Sequence, residues 1–366
     1  MPTVGEIIEA LFDKAPACLA AEGDNVGLQV GDPAAPVGRI LLAVDVTPGT
    51  IAAAEEASAE LLLAHHPLLV RPLRRLAADE PVGEMAQRAI RAGLSVVSMH
   101  TNVDVAPGGL CDLLASALGV TQARPLVSLG GRAVKLAAFV PEAHLDRVRE
   151  AMSQAGAGRI GNYEECAFET RGRGCYRPLP GAKPFAGEVG TLEFAEEARL
   201  EMLVAKSLLP RVIAAMTAAH PYEEVAYDVY PLENAFPGAG FGRLGSLEEP
   251  VPVEEFAARA KKALGVHRAS LVGEAKRQVE RIAVNSGSGG GLVEEASRAG
   301  AQLLVAADSD HHQRLLAEQL GVAILDLGHL ATERLVVDFF RGVLAERFGE
   351  RLLTLKAEEA DPFRPI

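Results

Sequence analysis

The chain is poor in aromatic residues. Twelve Phe, five Tyr and no Trp make up 5% of its 366 residues. That is too few for the stacking platforms that hold single-stranded nucleic acids. Cysteine is equally scarce. Cys18, Cys111, Cys166 and Cys175 stand far apart with no Cys-x-x-Cys pair, which argues against both a disulfide scaffold and a thiolate zinc site. Basic charge is in deficit: 36 Lys and Arg against 49 Asp and Glu leave a net charge of −13. A nucleic-acid surface needs the opposite balance, so nucleic acid is not expected as a partner. No apolar run reaches the roughly 18 residues of a membrane-spanning helix. The segment Met1–Lys14 carries Glu6, Glu9 and Asp13 and lacks the basic start of a signal peptide. A reduced, cytoplasmic protein without membrane attachment is expected.

Apolar residues make up 49% of the chain, ordinary for a globular protein. At about 150 residues per domain, the length suggests two to three domains. Residues 1–125 read as alternating strands and helices. Arg39–Val46 and Glu60–Ala64 are short, continuous apolar runs, as buried strands should be. Between them Thr47 is placed to cap a helix with Pro48 at its first position. Val82–Ala92 and Gly108–Leu118 read as helices around the strand Leu94–Met99. Residues 250–366 resume this alternation, ending in one long helix over Ala331–Arg347. The fold class is therefore α/β with parallel strand pairs.

The middle of the chain contains an internal repeat. Arg147-Val148 with Ala151-Met152 matches Arg211-Val212 with Ala215-Met216. Tyr163-Glu164-Glu165 after the first helix matches Tyr222-Glu223-Glu224 after the second. A duplicated βαβ unit predicts a ferredoxin-like α+β domain. Gly- and Pro-rich stretches bracket it, so an inserted domain is expected over 127–247, with 1–126 and 248–366 forming one discontinuous metal-binding α/β domain.

The nine histidines are grouped. His65-His66-Pro67 follows a buried strand, where α/β folds place ligands. Adjacent strand residues face opposite ways, so the two imidazoles serve one compact site best if each takes a different metal. His100-Thr101-Asn102-Val103-Asp104 follows the next strand and could supply a ligand or an acid/base pair, although Asp104 could simply cap a helix. In Gly328-His329-Leu330-Ala331-Thr332-Glu333, one helical turn puts His329 and Glu333 on one face. Glu333 could bridge two cations there, or merely favour the helix N-terminus. Together His65, His66, Asp104, His329 and Glu333 make a mixed imidazole and carboxylate set. Such donors suit Zn, Fe, Mn, Co or Ni better than Mg or Ca, and five of them suit a two-metal site. His100 and His312 are candidate catalytic proton carriers, with Asp308 or His312 as outer support. The turn Ser286–Gly291 opens a helix, so the backbone of Gly287, Gly289 and Gly290 could hold phosphate. A tight strand–helix turn explains it equally well.

These segments resemble the Nif-three-like family, whose bacterial members are labelled GTP cyclohydrolase type 2 homologues or dinuclear metal centre hexameric proteins. The matching stretches are GDNVGLQVG (23–31), AHHPLL (64–69), HTNVDVAPGG (100–109), NSGSGGG (285–291) and GHLATE (328–333). The resemblance covers the whole chain. GAGRIGNY (156–163), HPYEEVAYDVYPL (220–232) and GFGRLG (240–245) are similar to the extra domain of the longer bacterial forms, a CutA/PII-like ferredoxin fold. The family implies two divalent ions on His65, His66, Asp104, His329 and Glu333, with Glu333 as the bridge and His100 beside it. It also implies a homohexameric toroid and a metal-dependent hydrolase acting on a nucleotide such as GTP. The alternatives are a non-enzymatic metal-binding regulatory or interaction protein, and a protein in which the metals are scaffold only. Two positions depart from the family: Gly23 stands where members carry Trp, and Ala306-Ala307 where they carry Thr-Gly.

Overall fold

The structure, a computed structural model, describes residues 1–131, 133–161, 163–234, 236 and 238–363. It divides into two compact units, Met1–Leu129 with Gly238–Ile366, and Gly130–Pro237. The first stretch of chain makes α1 (Val4–Lys14), β1 (Gly27–Val30), β2 (Arg39–Ala43), α2 (Pro48–Glu56) and β3 (Leu61–Ala64). It continues with α3 (Pro81–Ala92), β4 (Ser95–Ser98), α4 (Thr101–Val105), α5 (Leu110–Ala117) and β5 (Thr121–Ser128). The middle stretch makes β6 (Ala133–Pro141), α6 (Leu145–Gln154), β7 (Ala167–Tyr176), β8 (Glu193–Ala205), α7 (Leu209–Ala219) and β9 (Tyr227–Leu232). The last makes β10 (Gly240–Pro252), α8 (Val253–Leu264), β11 (Ser270–Val272), β12 (Gln278–Ser288), α9 (Val293–Arg298) and β13 (Leu303–Ala307). After these come α10 (His311–Leu320), β14 (Ala323–Asp326), α11 (His329–Glu333), α12 (Val336–Phe348) and β15 (Leu353–Lys356). No helix of the described residues is long and apolar enough to cross a membrane.

The first unit contains two sheets. One runs β1-β4-β3-β2-β15, the other β11-β14-β13-β12-β10-β5. In the first, β15, β2, β3 and β4 are parallel, with Ala43, Ala64 and Ser98 in register at their carboxyl ends. In the second, β12, β13 and β14 are parallel. The strands are apolar on both faces because both faces are covered. Leu41 and Ala43 pack with Ile51, Leu62, Ala86 and Ala89 of one layer. Ile40 and Leu42 alternate to the other side, where α12 packs on β2 and α1 on α12. Each fully buried Leu here contributes about 1.5–3 kcal/mol. Thr47 caps α2 as its sequence predicts: its Oγ1 accepts from the Thr50 N–H, and its own backbone N–H donates to Thr50 Oγ1.

Several expectations change. The stretch from Gly240, read as a Gly- and Pro-rich border, is the long strand β10, paired with β12 and β5. Because β5 and β10 pair, the division falls at Leu129/Gly130 and Pro237/Gly238, inside the expected limits of 127 and 247. The single helix expected over Ala331–Arg347 is two, α11 and α12, broken at Arg334-Leu335. Asp104 is not a cap: it lies inside α4.

The second unit is a four-stranded antiparallel sheet in the order β7-β8-β6-β9. Its connectivity is β-α-β-β-α-β, and α6 packs with α7. Alternate residues Val134, Leu136, Ala138 and Val140 of β6 meet Leu200, Met202 and Val204 of β8 in its core. The repeated helix positions converge there too, Val148 and Met152 from α6 beside Val212 and Met216 from α7.

Candidate metal centre

The site lies in the first unit, where the carboxyl ends of the two parallel strand sets supply side chains to one place. From the first sheet, β2 leads to Asp45, β3 to His65-His66 and β4 to His100. From the second, β12 carries Ser286-Gly287, β13 leads to Asp308, and β14 leads through Gly328 to His329 and Glu333.

The four imidazoles are contiguous. Ring centroids lie 5.0 Å apart for His65–His66, 5.2 Å for His65–His100, 5.3 Å for His66–His100 and 5.4 Å for His66–His329. Each ring is fixed through Nδ1. His65 Nδ1–H donates to the Met99 carbonyl at 2.8 Å and His66 Nδ1–H to Asp45 at 2.8 Å. His100 donates to Asp24 at 2.9 Å and His329 to Asp308 at 2.5 Å. An engaged Nδ1–H leaves Nε2 as the ligating nitrogen, the usual outer arrangement around a metal-bound histidine.

Glu333 is only 4% exposed and sits among these nitrogens. Its Oε1 is 3.8 Å from His65 Nε2. Its Oε2 is 3.1 Å from His66 Nε2 and 3.0 Å from His329 Nε2, yet receives no well-directed hydrogen bond among the described residues. His65 Nε2 is wholly buried, 3.7 Å from Asp104 Oδ1, and has no hydrogen-bond partner among the described residues. Asp104 is held by Ser286 Oγ–H at 2.8 Å. Buried polar atoms without partners are costly, and lone pairs that converge need a cation or protons between them.

The electrostatics follow. Burial pushes the His65 imidazole down, and pushes the Asp104 carboxyl up. Burial also opposes charge on His66, but Asp45 and Glu333 outweigh it and hold His66 up at about 10. Glu333, and then Asp308, hold His329 up at about 9. Burial acts to raise Glu333, but the surrounding imidazoles win and keep it well below the usual carboxylate range.

The donor set fits divalent cations. One ligand atom each from His65, His66 and His100 lie within 4.8 Å of one another, as do those of His66, His329 and Glu333. Gly287 makes the fit tight: a Cβ there would stand 2.1 Å from Glu333 Oε1, and its φ of +56° is one that side chains rarely adopt.

The glycine turn corrects an expectation. The Gly287 N–H donates to Thr332 Oγ1 at 3.0 Å and the Gly289 N–H to the Ala307 carbonyl at 3.3 Å. Both donors are spent inside the chain and are not free for phosphate. A Cβ on Gly290 would meet Gln313 Oε1 at 2.0 Å and the Ser309 backbone at 3.0 Å. His312 is exposed at the start of α10, and its ring contact is with His311, not with the four clustered histidines. Sequence reasoning missed Asp24, Asp45, Ser286 and Thr332. Asp45 carried a signal, a carboxylate closing a buried strand. Thr332 carried none.

Fold and site together define a mixed α/β protein with a histidine–carboxylate centre at converging strand ends. The family model Duf34/NIF3 (NGG1p interacting factor 3) matches residues 2–362, and the chain belongs to this family. A "GTP cyclohydrolase 1 type 2 homolog" of Halalkalibacterium halodurans is 42% identical over 327 residues, 89% of this chain and 88% of the relative. A Bacillus cereus protein related to NIF3 has a solved structure with TM-score 0.75 and 37% identity, covering 100% of this chain and 99% of its own.

Proposed function

We propose that the chain binds two divalent ions through His65, His66, Asp104, His329 and Glu333, and is a hydrolase acting on a nucleotide such as GTP. The observation that carries this reading is Glu333. Its Oε1 is turned to His65 Nε2 and its Oε2 to His66 and His329 Nε2, which supports a carboxylate shared by two ions. Zn, Fe, Mn, Co or Ni suit the donors. Such ions, when bound, supply Lewis-acid polarisation and lower the pKa of water toward neutrality. His100 is the proposed proton carrier, a reading supported by the Asp24 carboxylate that accepts from its Nδ1–H and so frees Nε2 from that bond. The name given to the H. halodurans relative supports a nucleotide of the GTP type.

The connectivity of the second unit supports reading it as the ferredoxin-like, CutA/PII-like insert. A cytoplasmic homohexamer completes the proposal, and light scattering on the purified chain tests the assembly. Incubating metal-replete protein with GTP tests the reaction, with formate release as the expected result. Absence of turnover with each of the named metals overturns the GTP reading and favours the metal-binding regulatory or scaffold alternatives.

A further inference from the structure

The second unit holds a cavity of about 470 Å³, within the range of small-molecule sites. Its walls include Phe139, Tyr176, Leu179, Phe185 and Tyr222, with one buried carboxylate, Glu197. The rings cluster, with Tyr176 and Tyr222 centroids 6.2 Å apart and Phe185 and Tyr222 5.9 Å apart. His220 stacks edge-on against Tyr222 at 4.9 Å and fixes it by accepting the Tyr222 N–H at Nδ1.

Glu197 is 9% exposed. Its Oε1 accepts from the Tyr222 hydroxyl at 2.8 Å. Its Oε2 has no hydrogen-bond partner among the described residues, and a Cβ on Gly174 would stand 2.3 Å from it. The glycine therefore keeps this oxygen unobstructed. Glu223 and Glu224 also line the cavity, against one cation, Arg177. The Arg177 guanidinium is turned to the Gly190 carbonyl at 3.3 Å, and Glu223 accepts from the Lys183 N–H at 2.7 Å. Three carboxylates face one guanidinium that is engaged elsewhere. The Tyr-Glu-Glu motif is repeated in sequence, but only the second copy lines this cavity; in the first, Tyr163 is 75% exposed.

We propose that this cavity binds a small organic ammonium ion, a primary amine carried on an apolar chain or ring. The ammonium N–H donates to Glu197 Oε2, and the cation lies against the aromatic faces of Tyr176, Tyr222 and Phe185. The apolar tail packs on Leu179 and Phe139. An anion is refused by like charge. A neutral analogue leaves the buried carboxylate without its countercharge.

The test is calorimetric titration of the full chain with 2-phenylethylammonium and hexylammonium, against 2-phenylethanol, hexanol and hexanoate. The expected result is amine binding at least about tenfold tighter than that of the matching alcohol, with no hexanoate binding. In Glu197→Gln the amine advantage disappears while alcohol binding stays. NMR cross-relaxation from the bound amine to the Tyr and Phe rings locates it. Equal affinity for amine and alcohol, no binding at millimolar amine, or an undiminished amine advantage in Glu197→Gln overturns the proposal. Should Glu197→Gln fail to fold, the amine and alcohol comparison on the natural chain decides alone.

Discussion

At the scale of single residues, the centre rests on small choices around large ones. Four histidines would form a loose, protonatable cluster if their rings could turn. Asp24, Asp45, Asp308 and the Met99 carbonyl prevent that by holding every Nδ1–H. Gly287 is the sharpest case, because nothing larger fits between β12 and Glu333. Gly287→Ala should weaken metal affinity by about tenfold or more, measured by competition with a chromophoric chelator. Gly291→Ala, with open space around its Cβ position, should leave affinity unchanged. Equal affinities for the two variants would show that the approach of Glu333 is not constrained by this turn. Of the residues gathered at the site, the sequence names those whose chemistry stands out: His65, His66, His100, Asp104, Asp308, His329 and Glu333. Thr332 and Ser286 were illegible because a hydroxyl's partner is decided by tertiary position, not by spacing.

At the scale of elements, the strands and helices of residues 1–125 were legible because buried parallel strands are short apolar runs with capped helices between them. Strands β5, β7 and β9 were not. Most of their side chains are exposed, so their composition lacks the apolar signature, and pairing with distant partners creates them. β10 was hidden by its glycines. Close packing requires two of these: a Cβ on Gly240 or Gly245 would strike the backbone of β5 at 2.2 or 2.4 Å. Arg243, also in β10, is 1% exposed and pairs with Asp112 at 2.6 Å while donating to the carbonyls of Ala106, Gly240 and Gly242. It thereby ties α4, which carries Asp104, to the second sheet. Arg243→Met should destabilise the first unit by about 3 kcal/mol, because it leaves Asp112 and several carbonyls unpaired. Denaturant unfolding measures this, and an unchanged midpoint would contradict it.

In the second unit, His220 links α7 to β6. Its Nε2–H donates to the Phe139 carbonyl at 3.0 Å while Nδ1 accepts the Tyr222 N–H, which requires the neutral ring. Burial lowers its pKa below the ordinary 6.5. The sign follows from linkage: the native state resists protonation that the unfolded chain accepts. The stability this histidine contributes is therefore full above pH 6.5 and is lost as pH falls below 6.5 through the lowered native value. Amide hydrogen exchange in α7 and β9, corrected for intrinsic rates, should reveal weaker protection at pH 5 than at pH 7.5. His220→Gln should flatten that dependence. A pH dependence as steep in the variant as in the natural chain would contradict the assignment.

At the scale of the whole molecule, the two ends of the chain build one unit and the middle builds another. The histidines and carboxylates of the centre are separated by more than 200 residues in sequence, from His65 to Glu333. They meet because two parallel strand sets end at the same place. Two ions are proposed to sit at this meeting point. Elemental analysis of protein purified without an affinity tag tests it most directly. About two divalent ions per chain are expected, both lost or weakened in His65→Ala and Glu333→Gln. A natural chain that carries none after metal supplementation, or a Glu333→Gln variant that keeps its full complement, would contradict it.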